Sequence, residues 1–202
     1  MEDRTALSNS RLAFVGCGVM AEAIIAGLLR KKLVGPEQIS GSHPRQARRE
    51  EIHVKYGVEM FENNRDAITG SSVFVLAVKP QRLHRVLEEL KGAPVKEQLV
   101  VSIVAGARIA TIAEELLHAS IVRAMPNTPA QIGEGVTAWS ASADVSETQE
   151  RQVCAMLEAL GKTVHVENEH QIDMATALSA TGPTYIFLMM EEIGRASCRE
   201  RV

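Results

Sequence analysis

The chain is predicted to be an α/β protein, with a doubly wound, mostly parallel sheet followed by the start of a helical region. Three observations predict it. Short apolar runs alternate with stretches of helical length along most of the 202 residues. A Gly-x-Gly-x-x-Ala segment, "GCGVMA" at residues 16–21, stands between the first such run and the first helix. Apolar residues make up 46% of the chain and aromatics only 3%, so the core must be aliphatic side chains packed between layers.

Residues 11–16 read as a buried strand. Residues 19–31 read as a helix, with Ile24, Ile25, Leu28 and Leu29 at helical spacing before Gly35 and Pro36 end it. A short strand at 38–42, a charged helix at 45–56, a weak strand at 58–61 and a strong one at 72–78 follow. A helix around 83–91 leads to a strand at 99–103, and a helix at 109–117 leads to a strand at 120–124. The last strands, 136–140 and 163–166, flank a helix at 147–160 that opens with the capping box Ser146-x-x-Gln149, and the sheet is expected to end there. From Ile172 the segment "IDMATALSATGPTYIFLMMEE" is helical on both sides of a Gly182-Pro183 break, and apolar enough to need a partner surface. At residues 192–202, "EIGRASCRERV", that periodicity stops and three arginines enter. The expected division is a sheet domain at 1–167, the truncated start of a helical domain at 168–191, and a non-native tail at 192–202.

A net charge of -3 offers no basic field for nucleic acid or an anionic membrane. No apolar run reaches membrane-spanning length, and the first ten residues lack the apolar centre of a signal peptide. Cys17, Cys154 and Cys198 are scattered, with neither metal-ligand spacing nor a disulfide framework. A reducing cytoplasm fits that usage, and no metal site is expected.

The glycine pair is where chemistry is expected. After a strand and before a helix, Gly16 permits a tight turn, Gly18 lets the backbone approach a pyrophosphate, and Ala21 allows close helix packing. The N–H groups of Val19 and Met20 are then aimed at phosphate. A purely structural turn is the alternative. After the second strand, "ISGSHPRQARR" carries no acid for ribose hydroxyls. Ser42 and Arg45, with Arg48 or Arg49 behind, suit a 2'-phosphate instead, so NADPH is the expected cofactor, although such arginines also make solvated helix faces. Lys79, at the end of "FVLAVKPQ", either faces the nicotinamide ribose or marks a strand exit. Ala105 and Gly106, in "VSIVAGAR", are small enough to admit a nicotinamide ring, and small residues also simply end strands. In "RAMPNTPAQIGEG" two prolines fix Asn127 and Thr128 on a stiff loop, which a structural turn explains as well.

Together, "FVGCGVMAEAI", "FVLAVKPQ", "SIVAGA", "RAMPNTPA" and "LSATGPTYIF", in this order, closely resemble pyrroline-5-carboxylate reductase, over nearly all of residues 12–190. The resemblance implies an N-terminal Rossmann domain and a C-terminal helical dimerisation domain in a homodimer or higher homo-oligomer, with reduction of 1-pyrroline-5-carboxylate to L-proline by NADPH. It also implies that Gly16, Gly18, Val19 and Met20 contact the pyrophosphate and that Ser42 and Arg45 meet the adenosine phosphate. Asn64 would lie on the adenosine side, Ala77, Lys79, Ala105 and Gly106 at the nicotinamide half, and Asn127 and Thr128 near ring and substrate. "LSATGPTY" departs from the family's "LSGSGPAY" at Ala180, Thr181 and Thr184. No proton donor is identifiable, so no catalytic residue is assigned. Because the family's substrate loop would follow "YIFLMMEE", the chain as it stands is expected to bind the nucleotide without turning over. The alternatives are a related imine or β-hydroxyacid reductase and a non-catalytic nucleotide-binding module.

Overall fold

The computed structural model describes residues 5–199. Its strands are β1 (Leu12–Val15), β2 (Ile39–Ser42), β3 (Glu59–Phe61), β4 (Val73–Leu76), β5 (Leu99–Ser102), β6 (Ile121–Met125), β7 (Gly135–Ala141) and β8 (Gly161–His165). They form one sheet in the order β3-β2-β1-β4-β5-β6-β7-β8. The first six run parallel; β7 turns back against β6, and β8 pairs parallel to β7. In β1, β4 and β5 every residue is buried, as expected of strands covered on both faces.

The helices are α1 (Val19–Arg30), α2 (Gln46–Tyr56), α3 (Asn64–Ile68), α4 (Pro80–Leu90), α5 (Ile109–Leu116), α6 (Glu147–Glu158), α7 (His170–Ala175) and α8 (Gly182–Arg199). Strand alternation divides the core in two. Leu12 and Phe14 pack with Ile24, Ile25 and Leu28 of α1, Ile52 of α2, and Val153, Met156 and Leu157 of α6. Ala13 and Val15 pack on the other face with Ile68 of α3, Leu83 and Leu87 of α4, and Ile112 and Leu116 of α5. The result is a three-layer sandwich, and the doubly wound expectation holds.

Several boundaries differ from the sequence reading for local reasons. α4 starts at Pro80, since proline lacks only an N–H that the first turn does not use. α3 is five residues long, too short for periodicity to reveal. The residue that caps it is Asn63, whose side chain accepts from the Arg65 N–H, so Asn64 lies inside the first turn. The proline-bracketed loop after β6 winds into a short 3-10 helix at Thr128–Ile132. The Ser146–Gln149 capping box forms as expected. Near Gly182 the chain does not straighten: a π-helical stretch at Thr176–Ala180 joins α7 to α8. α8 continues through the change of composition at residue 192, where Arg195 pairs with Glu191 and Glu192. Residues 200–202 of the expected tail lie outside the described residues.

Candidate active site

Parallel pairing carries the predicted residues to one edge. Gly16 to Met20 follow β1, Ser42 and Arg45 follow or end β2, and Asn64 follows β3. Ala77 and Lys79 follow β4, Ala105 and Gly106 follow β5, and Asn127 and Thr128 follow β6. All sit beyond the carboxyl ends of the parallel strands, where the strand order reverses between β1 and β4 and where open α/β sheets take their ligands. A cavity of about 810 Å³ lies instead at the amino edge, among Ser72, Lys96, His118, Asp144, Ser146 and Gln152. None of the predicted residues lines it.

The glycine turn has the geometry its sequence calls for. Gly16 adopts φ +90°, and a Cβ there would stand 2.6 Å from Val78 Cγ1. Its N–H and that of Cys17 both donate to the Ser42 carbonyl, at 3.2 and 3.0 Å, locking the turn onto β2. Gly18 is the N-cap of α1, with extended backbone, no side-chain cap and open space where a Cβ would lie. No side chain caps the first N–H groups of α1, so the positive end of the helix dipole is open and could hold an anion. Cys17 Sγ lies 2.6 Å from where a Cβ of residue 41 would stand, so β2 needs Gly41. Burial pushes the Cys17 thiol up to about 12, which removes it as a nucleophile.

The three arginines after β2 separate into distinct roles. Arg48 donates to the Cys17 carbonyl at 3.0 Å and pairs with Glu22 and Glu51. Arg49 donates to the His43 and Pro44 carbonyls and pairs with Glu62. Arg45 alone leaves its guanidinium without a partner among the described residues, exposed at the turn. The Ser42 hydroxyl is turned inward: the residue is fully buried and donates to Asn64 Oδ1 at 2.6 Å, while Asn64 Nδ2 donates to Glu89. In this arrangement Ser42 and Asn64 brace the β2 turn, and the exposed charge comes from Arg45.

Past the ends of β4 and β5, Ala77 and Ala105 are half-buried and Gly106 is exposed with φ +75°. Lys79 is the exposed N-cap of α4, and its ammonium has no partner among the described residues. Asn127 is held on both sides: Oδ1 accepts the Val136 N–H at 2.9 Å and Nδ2 donates to Ser179 Oγ at 3.0 Å. It therefore ties the loop to both β7 and the π-helical stretch. Thr128 is exposed, and its hydroxyl has no partner among the described residues. Thr181 keeps its hydroxyl but donates it to the Thr176 carbonyl.

The sequence reading gave no role to Arg123, in the middle of β6. It is 2% exposed, and it donates to Glu169 at 2.9 Å and to Asp173 on α7 at 2.6 Å. Glu169 also accepts the Ile109 N–H at the start of α5. The Arg123 hydrogen bond holds the Asp173 carboxyl below its ordinary range against a weaker opposing effect of burial. This cluster fixes the helical segment to the sheet beside Asn127. A lone arginine in an apolar strand was the available signal, because a buried charge requires partners.

Residues 11–106 match the family model described as NADP oxidoreductase, coenzyme F420-dependent. The pyrroline-5-carboxylate reductase of Synechocystis sp. is 41% identical over 183 residues, 91% of this chain and 68% of that protein. The chain belongs to the pyrroline-5-carboxylate reductase family. The Coxiella burnetii reductase superposes with a TM-score of 0.86 at 35% identity, over 95% of this chain and 72% of that one. The Plasmodium falciparum pyrroline carboxylate reductase, crystallised with NADP bound, gives a TM-score of 0.84 at 26% identity, over 96% and 71%. Among the described residues, no helix is long and apolar enough to cross a membrane.

Proposed function

We propose that this chain carries the NADPH-binding half of an enzyme that reduces 1-pyrroline-5-carboxylate to L-proline. Family membership supports the substrate, and the single observation that carries the cofactor is the unpartnered Arg45 guanidinium where an acid would otherwise stand. The edge fits a dinucleotide: Gly18 leaves room for a pyrophosphate, α1 offers uncapped N–H groups, and Arg45 offers a fork for a 2'-phosphate. Ala77, Lys79, Ala105 and Gly106 would border the nicotinamide, with Thr128 toward the substrate. When bound, NADPH supplies the hydride. The residues of this edge would orient the nicotinamide toward the imine carbon, and the imine nitrogen would take up one proton as the C=N bond is reduced. Orientation supplies much of the rate.

The absence of lysine from residues 168–202 disfavours a β-hydroxyacid reductase. Tyr185, Ile186, Phe187, Leu188, Met189 and Met190 of α8 are all exposed, which supports a second copy of the chain as the surface that covers them. Residues 1–167 would then form the nucleotide-binding domain, and residues 168–191 would open the dimerisation domain. Free Cys17 and Cys154 accord with a reducing cytoplasm. Turnover is read as L-proline formed from 1-pyrroline-5-carboxylate and NADPH. With α8 uncovered, the isolated chain should bind the nucleotide yet form proline far more slowly than the Synechocystis reductase assayed beside it. A comparable rate would show that the described residues suffice.

A further inference from the structure

The Glu22–Arg48 cluster lies behind the phosphate turn rather than on it. Glu22, in the first turn of α1, accepts from Arg48 through Oε2 at 2.6 Å, and from Lys55 and Tyr56 through Oε1 at 2.8 and 2.9 Å. Burial alone would raise its carboxyl. Hydrogen bonds from Lys55, Arg48 and Tyr56 outweigh burial and hold it at about 2. An unpaired carboxylate here would compete with a phosphate for the same helix terminus. Turned toward α2 and satisfied by three donors, it does not.

Arg48 does a second thing. Its Nε donates to the Cys17 carbonyl at 3.0 Å, while the Gly18 N–H at the other end of that peptide donates to Gly16 O at 2.8 Å. The peptide plane just before the first outward N–H of α1 is thus held at both ends. We propose that Arg48 is a positioning residue for the cofactor, setting the orientation of the Cys17–Gly18 peptide and drawing the Glu22 charge away from the pyrophosphate site. The proposal rests on the cofactor reading above. Because the pyrophosphate is common to NADPH and NADH, Arg48 should affect both equally, unlike a residue that meets the 2'-phosphate.

The test is calorimetric titration of the chain with NADPH and with NADH. Arg48→Ala should raise both dissociation constants about tenfold, the scale of one lost charge-assisted hydrogen bond, and leave their ratio unchanged. Arg48→Lys keeps the charge beside Glu22 and Glu51, and so the fold, but cannot reach the carbonyl and the carboxylate together. It should show the same twofold pattern: weaker binding of both nucleotides and a melting transition close to that of the unmodified chain. Unchanged affinities in either variant, even with a lowered melting temperature, would overturn the proposal. So would a loss confined to NADPH, which would place Arg48 on the 2'-phosphate. If the unmodified chain binds neither nucleotide, the cofactor reading itself fails, and this proposal falls with it.

Discussion

Replacing Arg123 with methionine is expected to destabilise the chain by about 3 kcal/mol, the lower end of the range for removing one partner of a buried ion pair. The arginine is 2% exposed, but its partners are not equally buried: the Glu169 and Asp173 side chains are 27% and 42% exposed. Both carboxylates can therefore regain water when the cation is lost, which is why the upper end of the range is not reached. Losing the pairs removes both ion pairs between β6 and the start of α7, while the Glu169 carboxylate keeps its bond from the Ile109 N–H. Arg123→Lys retains one pair at most and should fall between the two. Urea unfolding at neutral pH measures the effect, and a loss below about 1 kcal/mol for Arg123→Met would show that the cluster contributes little to stability.

Gly16→Ala should cost roughly 2 to 5 kcal/mol, combining the strain of a side chain at positive φ with overpacking against the next strand. The new methyl would meet Val78 Cγ1 at 2.6 Å and the Ala77 backbone at 3.2 Å, and the backbone part of that contact cannot relax cheaply. Gly18→Ala is the informative contrast. Its φ of -80° suits any residue and its Cβ enters open space, so stability should stay within about 0.5 kcal/mol while nucleotide affinity falls. Paired melting curves and nucleotide titrations separate the two glycines. Equal destabilisation by both variants would contradict the division of labour between turn and phosphate cradle.

The fold was legible because its signals are local. Four-residue aliphatic strands, the periodicity of α1 and the Ser146–Gln149 box each lie within a window of a few residues, and the parallel sheet follows from their alternation. The edge was legible for the same reason, since residues just past parallel strands share one side. What escaped depends on pairing between distant residues. Whether Arg45, Arg48 or Arg49 is the free one is decided by Glu22, Glu62 and the Cys17 carbonyl. The inward turn of Ser42 depends on Asn64, twenty-two residues on. Arg123 finds its carboxylates forty-six and fifty residues away, where no local pattern reaches.

Selection of NADPH by the turn after β2 is read out by titrating the chain and its Arg45→Ala variant with NADPH and NADH. The unmodified chain should prefer NADPH. The variant should lose about 10- to 100-fold in NADPH affinity, corresponding to about 1.5 to 3 kcal/mol for a charge-assisted phosphate contact, and lose almost nothing for NADH. Equal affinity of the unmodified chain for the two nucleotides, or equal losses in the variant, would show that Arg45 does not select the 2'-phosphate.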